Sequence, residues 1–161
     1  MVEMALIAPL LFTLLLGMVT AGITYSRKIA LDTAARDASR YGATLPVSNY
    51  SSLNAWLAAT ADVAQQSATG DLGTGVAGRS ICVAYVYPSG MSATDRTTML
   101  VRTDAGDTYS TGSSATCFAD GQPAANRRVQ VSLSRQSTIE AVAYSSNITL
   151  TAHGLTKFEA S

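Results

Sequence analysis

Charge is scarce in this chain of 161 residues: 14% are Asp, Glu, Lys or Arg, and the formal net charge is zero. That balance provides neither a basic field for nucleic acid nor an acidic tail, so no nucleic-acid partner is expected. Histidine is scarcer still. The single one, His153, has no Cys or acidic residue at metal-ligand spacing, so it reads as an ordinary strand residue and no metal site is expected. No G-x-S-x-G elbow accompanies the many serines, and a triad using the sole histidine has no supporting signature. The acids after Pro46 are scattered through polar stretches, which defines no carboxylate pair of the glycosidase type. A phosphate cradle needs its glycines to open a helix after a strand, and no Walker lysine follows Gly70, Gly73, Gly75 and Gly78. Arg127-Arg128 with Arg135, and Arg96 with Arg102, remain as phosphate contacts, but neighbouring acids favour solvated faces. No catalytic residue, cofactor or enzymatic activity is expected.

Where charge is missing altogether, the sequence is most informative. From Met4 to Ser26 there are 23 residues without one. At a rise of ~1.5 Å per residue such a helix reaches across a hydrocarbon core of about 30 Å. A signal-peptide core is only ~7–15 apolar residues, with basic residues before it and a small-residue cleavage site behind it. This run is longer, has no preceding base, and continues into an amphipathic segment. Leu31, Ala34, Ala35, Ala38, Gly42 and Leu45 recur at helical spacing and share one face; Asp32, Arg36, Asp37 and Arg40 take the rest. Val2 to Leu45 therefore reads as one long helix that changes solvent halfway and ends at Pro46. Glu3, at the edge of the apolar run, is costly in lipid unless it is paired.

The same residues carry a family resemblance. The segment VEMALIAPLLFTLLLGMVTAGITYSRKIALDTAARDASRYGA resembles the N-terminal signature of TadE-like proteins, minor pilins (pseudopilins) of tight-adherence pili. The matching positions are Val2, Glu3, Ala5, Leu6, Pro9, Leu10, Leu11 and Gly17, followed by Ala34, Ala35, Arg36, Asp37, Arg40, Tyr41 and Ala43. Met4 stands where the family usually has an aromatic residue. The C-terminal ITLTAHGLTKFE also resembles the closing strand of that family. Prepilins of this class carry a short basic leader ending in Gly, whereas Met1 stands two residues before Glu3. A mature or trimmed chain, a misassigned start and an unprocessed member all remain open. Arg27 and Lys28 alone argue for an inside location of the domain; the resemblance implies the reverse, with the N-terminus inside and the domain outside.

The resemblance implies a structural subunit held in the membrane, then assembled with copies of itself or other pilins into a surface filament for adhesion. Its further partners would be the pilus assembly machinery and a prepilin peptidase. Glu3, Pro9, Leu10, Leu14 and Gly17 are the residues expected to carry assembly. Glu3 would pair with the N-terminal amine of a neighbour and give register to an apolar bundle; alternatively it only marks the membrane edge. Pro9 removes one helix hydrogen bond and is expected to kink or open the helix locally. The other class of function left open is a membrane-anchored extracytoplasmic binding domain, or an assembly factor outside the filament shaft.

Residues 46–161 are expected to form the exported domain after the helix of residues 1–45. Leu53 to Gln66 is a second amphipathic helix by its apolar spacing, with Trp56 packing it onto the core. Ser67 to Gly78 reads as a flexible loop. Ser80 to Tyr87 is β-prone and ends at Pro88-Ser89-Gly90; Thr98 to Thr103 is a second strand candidate. Asp104 to Gly121 is turn-rich. Val129, Val131 and Leu133 alternate through Arg128 to Ser134, as Ile148, Leu150 and Ala152 do later, and these two segments suit an antiparallel pair with one wet face. Thr138 to Tyr144 is either a short helix or a loop. Cys82 and Cys117, an even pair in an apparently exported domain, favour a disulfide over two buried thiols. The expected class is α+β: a long helix, transmembrane in its first half, packed on a small antiparallel sheet.

Overall fold

The computed structural model describes residues 2–87, 97–112, 114–123, 126–141 and 144–158, with the side chains of residues 2–6, 140–141 and 144 left undescribed. Helix α1 runs from Val2 to Thr44 without interruption, straight through Pro9. It ends where Pro46 disfavours helical geometry in the residue before it. A 3-10 turn, Val47–Asn49, leads to α2, Leu53–Ser67, whose N-cap Ser52 accepts a hydrogen bond from the Ala55 amide at 3.2 Å. The Trp56 indole then donates to the Leu45 carbonyl at 3.0 Å, satisfying one of the carbonyls orphaned at the end of α1.

Five strands follow: β1 (Ser80–Val86), β2 (Thr98–Thr103), β3 (Gly106–Thr111), β4 (Arg128–Ala141) and β5 (Tyr144–Lys157). They form one antiparallel sheet in the order β3-β2-β1-β4-β5. The α+β class is as expected, and so is the antiparallel pairing of the last two strands. Several local expectations are corrected. Residues 138–141 and Tyr144 extend β4 and β5 as strand, not helix or loop, because each residue finds a ladder partner across the hairpin. The turn-rich segment after Asp104 contains β3, paired along its length with β2. The stretch read as a flexible loop after Ser67 holds a helical turn, α3 (Thr69–Leu72), whose Leu72 is buried. The expected turn Pro88-Ser89-Gly90 lies outside the described residues.

The core lies between the sheet and the helices. Leu31, Ala34, Ala35, Ala38 and Gly42 of α1 are buried, so the stripe legible in the sequence is the face that meets the sheet. Ile81, Val83, Val129, Val131, Leu133 and Ala152 receive it, with Trp56, Leu57, Ala61 and Ala64 of α2 closing the side. Two glycines permit this approach. A methyl group at Gly154 would collide with the Ala35 carbonyl, and one at Gly42 would lie 3.1 Å from both the Trp56 ring and Val129. Ser39 Oγ and Thr156 Oγ1, 3.0 Å apart, join the two elements beside Gly154.

The other face of the sheet is not simply wet. Cys82, Ala84, Gln130 and Ser132 share it by register, and the chain after Gly112 folds across it. Cys117 is bonded to Cys82, with Cα atoms 5.7 Å apart. Closing that loop of roughly 35 residues contributes about 3–4 kcal/mol in the chain-entropy account.

Gly154→Ala should lower stability by about 1–3 kcal/mol, the usual penalty for overpacking a tight contact. Urea denaturation of the detergent-solubilised chain measures it, with Gly70→Ala, which meets nothing within 4 Å, as the comparison. An unchanged midpoint would show that α1 and β5 tolerate separation.

Candidate functional site

The segment most in need of a partner is the first half of α1. Leu10 and Phe12 are 63% exposed, Leu14 is 55% exposed and Met18 reaches 71%. Residues 7–19 are all exposed apart from the half-buried Ala8. Isolated soluble chains rarely show an apolar patch beyond a few hundred Å², so lipid or other helices must cover this one. Its polar atoms are satisfied within the helix: Thr13 donates to the Leu10 carbonyl at 2.8 Å, Thr20 to the Leu16 carbonyl, and Thr24 to the Thr20 carbonyl at 2.8 Å. Such back-bonding suits a helix surrounded by apolar matter.

Among the residues expected to carry assembly, Pro9, Leu10, Leu14 and Gly17 all lie on this bare stretch, and a Cβ at Gly17 would meet nothing within 4 Å. Pro9 leaves the carbonyl of Ala5 without its helical donor but does not terminate the helix. Glu3 belongs to α1, and its side chain lies outside the described atoms.

The first charges after the run fasten it to the domain. Arg27 Nη1 donates to Ser137 Oγ at 3.1 Å, and its Nε lies 3.9 Å from Asp71, which also pairs with Arg135. Lys28 Nζ donates to Asp32 Oδ1 at 2.6 Å and to the Thr151 carbonyl at 2.5 Å. These contacts fix the point at which the bare helix leaves the domain.

At the opposite end a cleft of about 730 Å³ opens between the end of α1 and the ends of β4 and β5. Arg40, Arg127 and Lys157 line it together with Val47, Tyr85 and Phe158, and no carboxylate is among its described lining residues. The Arg127 guanidinium stands 5.6 Å from the centre of the Tyr87 ring, which stacks on Tyr85. Sequence reasoning missed this cleft because its walls come from four distant segments with no shared motif.

The other candidate arginines do not converge on a phosphate site. Arg102 is held by Asp62 and Asp107, and those carboxylates push its guanidinium further toward the charged form. Arg135 is taken by Asp71, and Arg96 lies outside the described residues. Arg128 is buried against Asp120, the two side chains being 6% and 7% exposed. It also donates to the carbonyls of Pro123 and Asn126, while Gln130 donates to Phe118 and Asp120 and accepts from the Cys117 amide. This buried network pins the disulfide-bearing loop. Burial opposes the charged form of Asp120, but hydrogen bonds from Arg128, the Gln122 amide and Gln130 outweigh it and hold the carboxyl below its ordinary range. The V-Q-V-S-L alternation gave no sign that Gln130 would be covered. His153 lies on the same face, its ring 4.4 Å from that of Phe118. Among the described residues no group of three or more His, Cys, Asp or Glu is placed to hold a metal.

A folded-state carboxyl below its unfolded value stabilises the fold above about pH 4, and that contribution is lost as pH falls through the folded value. Asp107, held down by Arg102, adds in the same direction. Denaturation midpoints measured from neutral pH downward should fall below about pH 4 in the native chain. Asp120→Asn should be less stable at neutral pH by several kcal/mol, on the order of the loss seen when a buried ion pair is broken, with a shallower acid limb. An unaltered acid limb in the variant would exclude Asp120 as a source of the dependence.

Among known families, the chain matches the one described as TadE-like protein, over residues 1–40. These residues comprise the bare apolar run and most of the stripe that docks on the sheet. No curated protein matches the chain, and no solved structure does.

Proposed function

We propose that this chain, TadE-like over its first 40 residues, is a pilin-like structural subunit of a tight-adherence pilus. It has no enzymatic role in this reading. The observation that carries it is the bare first half of α1, an apolar surface continuous with a helix docked firmly in a folded domain. In the membrane that surface faces lipid, with the N-terminus inside and the domain outside. On extraction into a filament it packs against the same helix of neighbouring subunits, so apolar burial is retained while the surroundings change from lipid to protein. Leu10 and Leu14 supply contact area, Gly17 permits close approach, and Pro9 gives the helix local freedom to adapt. Glu3 pairs with the N-terminal amine of an adjacent subunit and sets the register. The assembly machinery and a prepilin peptidase are the further partners, and the filament serves adhesion. Among the described cysteines none is free, which agrees with folding outside the cytoplasm.

A second reading, a membrane-anchored binding domain or an assembly factor outside the shaft, is favoured by the cationic, aromatic-floored cleft at the far end of the domain. The two readings diverge on where the protein resides.

Shearing the cell surface and identifying the filament proteins by mass spectrometry tests them. The shaft reading expects abundant recovery of this chain, with an N-terminus just ahead of Glu3; recovery from membranes alone would favour the second. Glu3→Ala should insert into membranes as the native chain does, because it removes a charge from an apolar segment, yet fail to enter filaments. Normal filaments containing the variant would sink the register role.

A further inference from the structure

At its lower end the sheet narrows to two strands. β1 pairs with β4 only as far as Ser80 opposite Ser134. β4 and β5 continue past the end of β1 for the seven pairs from Arg135–Leu150 to Ala141–Tyr144. Six steps at about 3.3 Å make this two-stranded ribbon roughly 20 Å long.

The ribbon points along α1 toward the apolar run. β5 and α1 run side by side in the same direction, since Lys28 reaches the Thr151 carbonyl, Ala35 sits against Gly154, and Ser39 meets Thr156. From Ala35 to Ser39 the helix advances about 6 Å, and from Gly154 to Thr156 the strand advances by nearly the same amount. Arg27 touches Ser137, and four more residues of β4 carry the ribbon about 13 Å further, the rise of about nine helical residues. Its end therefore lies beside the uncharged segment of α1, near the level of Met18. Thr20 and Thr24, half-buried and in line with Lys28 at spacings of four, lie on the same stripe of α1.

That position conflicts with a hydrocarbon layer extending to Ser26. The outward face of the ribbon carries Gln136, Thr138, Ser145, Asn147 and Thr149, all exposed. β5 is the end strand of the sheet, and past Ser134 the outer edge of β4 keeps one backbone bond, from the Gln136 amide to the Ala77 carbonyl at 2.9 Å; beyond it both edges of the ribbon are open among the described residues. Open strand edges do not occur in hydrocarbon, where nothing satisfies their amide and carbonyl groups. Hydrated headgroups do satisfy them. Nor does α1 need its whole uncharged run: Met4 to Thr20 is 17 residues, a rise of about 25 Å, which is at the short end of the lengths that span a bilayer.

From this we infer that the end of the β4–β5 ribbon rests in the lipid headgroup layer and sets the depth to which α1 enters the bilayer. The hydrocarbon ends near Thr20, and Ala21 to Ser26 stand in the interfacial layer beside the ribbon. Tyr25, 69% exposed, is at the depth where aromatic residues with a polar tip are favoured. The inference rests on the membrane-anchor part of the proposed function, and the test separates the two.

The full chain, with its disulfide intact, is reconstituted in phosphatidylcholine–phosphatidylglycerol vesicles as three single-cysteine additions, Ser145→Cys, Leu14→Cys and Asn49→Cys. Each is labelled with an environment-sensitive fluorophore. Spin labels on lipid headgroups or deep in acyl chains, and aqueous iodide, serve as quenchers. The expected result is that the label at 145 loses more emission to headgroup spin labels than to deep ones, the label at 14 the reverse, and the label at 49 responds to iodide alone. A label at 145 that behaves like the one at 49 overturns the proposal, placing the ribbon clear of the bilayer. Strongest quenching at 145 by the deep labels also overturns it, as does quenching that weakens only when subunits are crowded, which would mean a second copy covers the ribbon. If the label at 14 responds to neither lipid probe, the anchor reading itself fails, whatever the label at 145 does.

Discussion

The arrangement depends on how closely a helix can lie on a strand. The Ala35 carbonyl occupies space that any side chain at position 154 would take, and Gly42 admits the Trp56 ring on the opposite flank. Small residues on α1 thus do what large ones do elsewhere: they bring backbone to backbone, and dispersion over a long contact holds the pair. Because β5 lies against α1 so tightly, β4, β1 and α2 are placed in turn, and the rest of the sheet follows from the ladder. The ion pairs at Arg27 and Lys28 are partly exposed and add orientation more than stability.

Behind the sheet, a different physics holds the loop that carries Cys117. Gln130, Arg128 and Asp120 are withdrawn from water, and their cost is offset because nearly every donor and acceptor finds a partner. The disulfide supplies the covalent closure and the network supplies the shape. Together they cover a face of the sheet that its alternating pattern presented as open to solvent.

The parts of this protein legible in its sequence are those that repeat. The stripe from Leu31 to Gly42 and the strand alternation at Val129, Val131 and Leu133 each express a period, and a period survives without knowledge of tertiary partners. The apolar run was legible for a simpler reason, since the absence of charge over so many residues has few soluble explanations. What escaped was set by contacts between distant segments. Nothing in SLSRQSTIEA announces a strand that outruns its neighbour β1, because its hydroxyl-rich composition suits loop, helix or strand equally, and only pairing with β5 decides. β3, with Gly106, Asp107 and Ser110, is turn-like by composition and becomes a strand because β2 needs a partner. The cleft between Arg40, Arg127 and Lys157 joins residues that are distant from one another along the chain. For the assembly residues, sequence offered a pattern of types, and the fold adds that Pro9, Leu10, Leu14 and Gly17 stand free of the domain.

Helix α1 is one uninterrupted rod of 43 residues, about 65 Å long at the usual rise. Its lower half is bare and its upper half is clamped in the domain, with no loop between them to act as a joint. Such a rod works as a lever. A tilt of a few degrees imposed on the bare half by lipid thickness or by a neighbouring helix swings the far end of the domain through several ångströms, so the direction in which the cleft faces is set by what surrounds the other end of the helix.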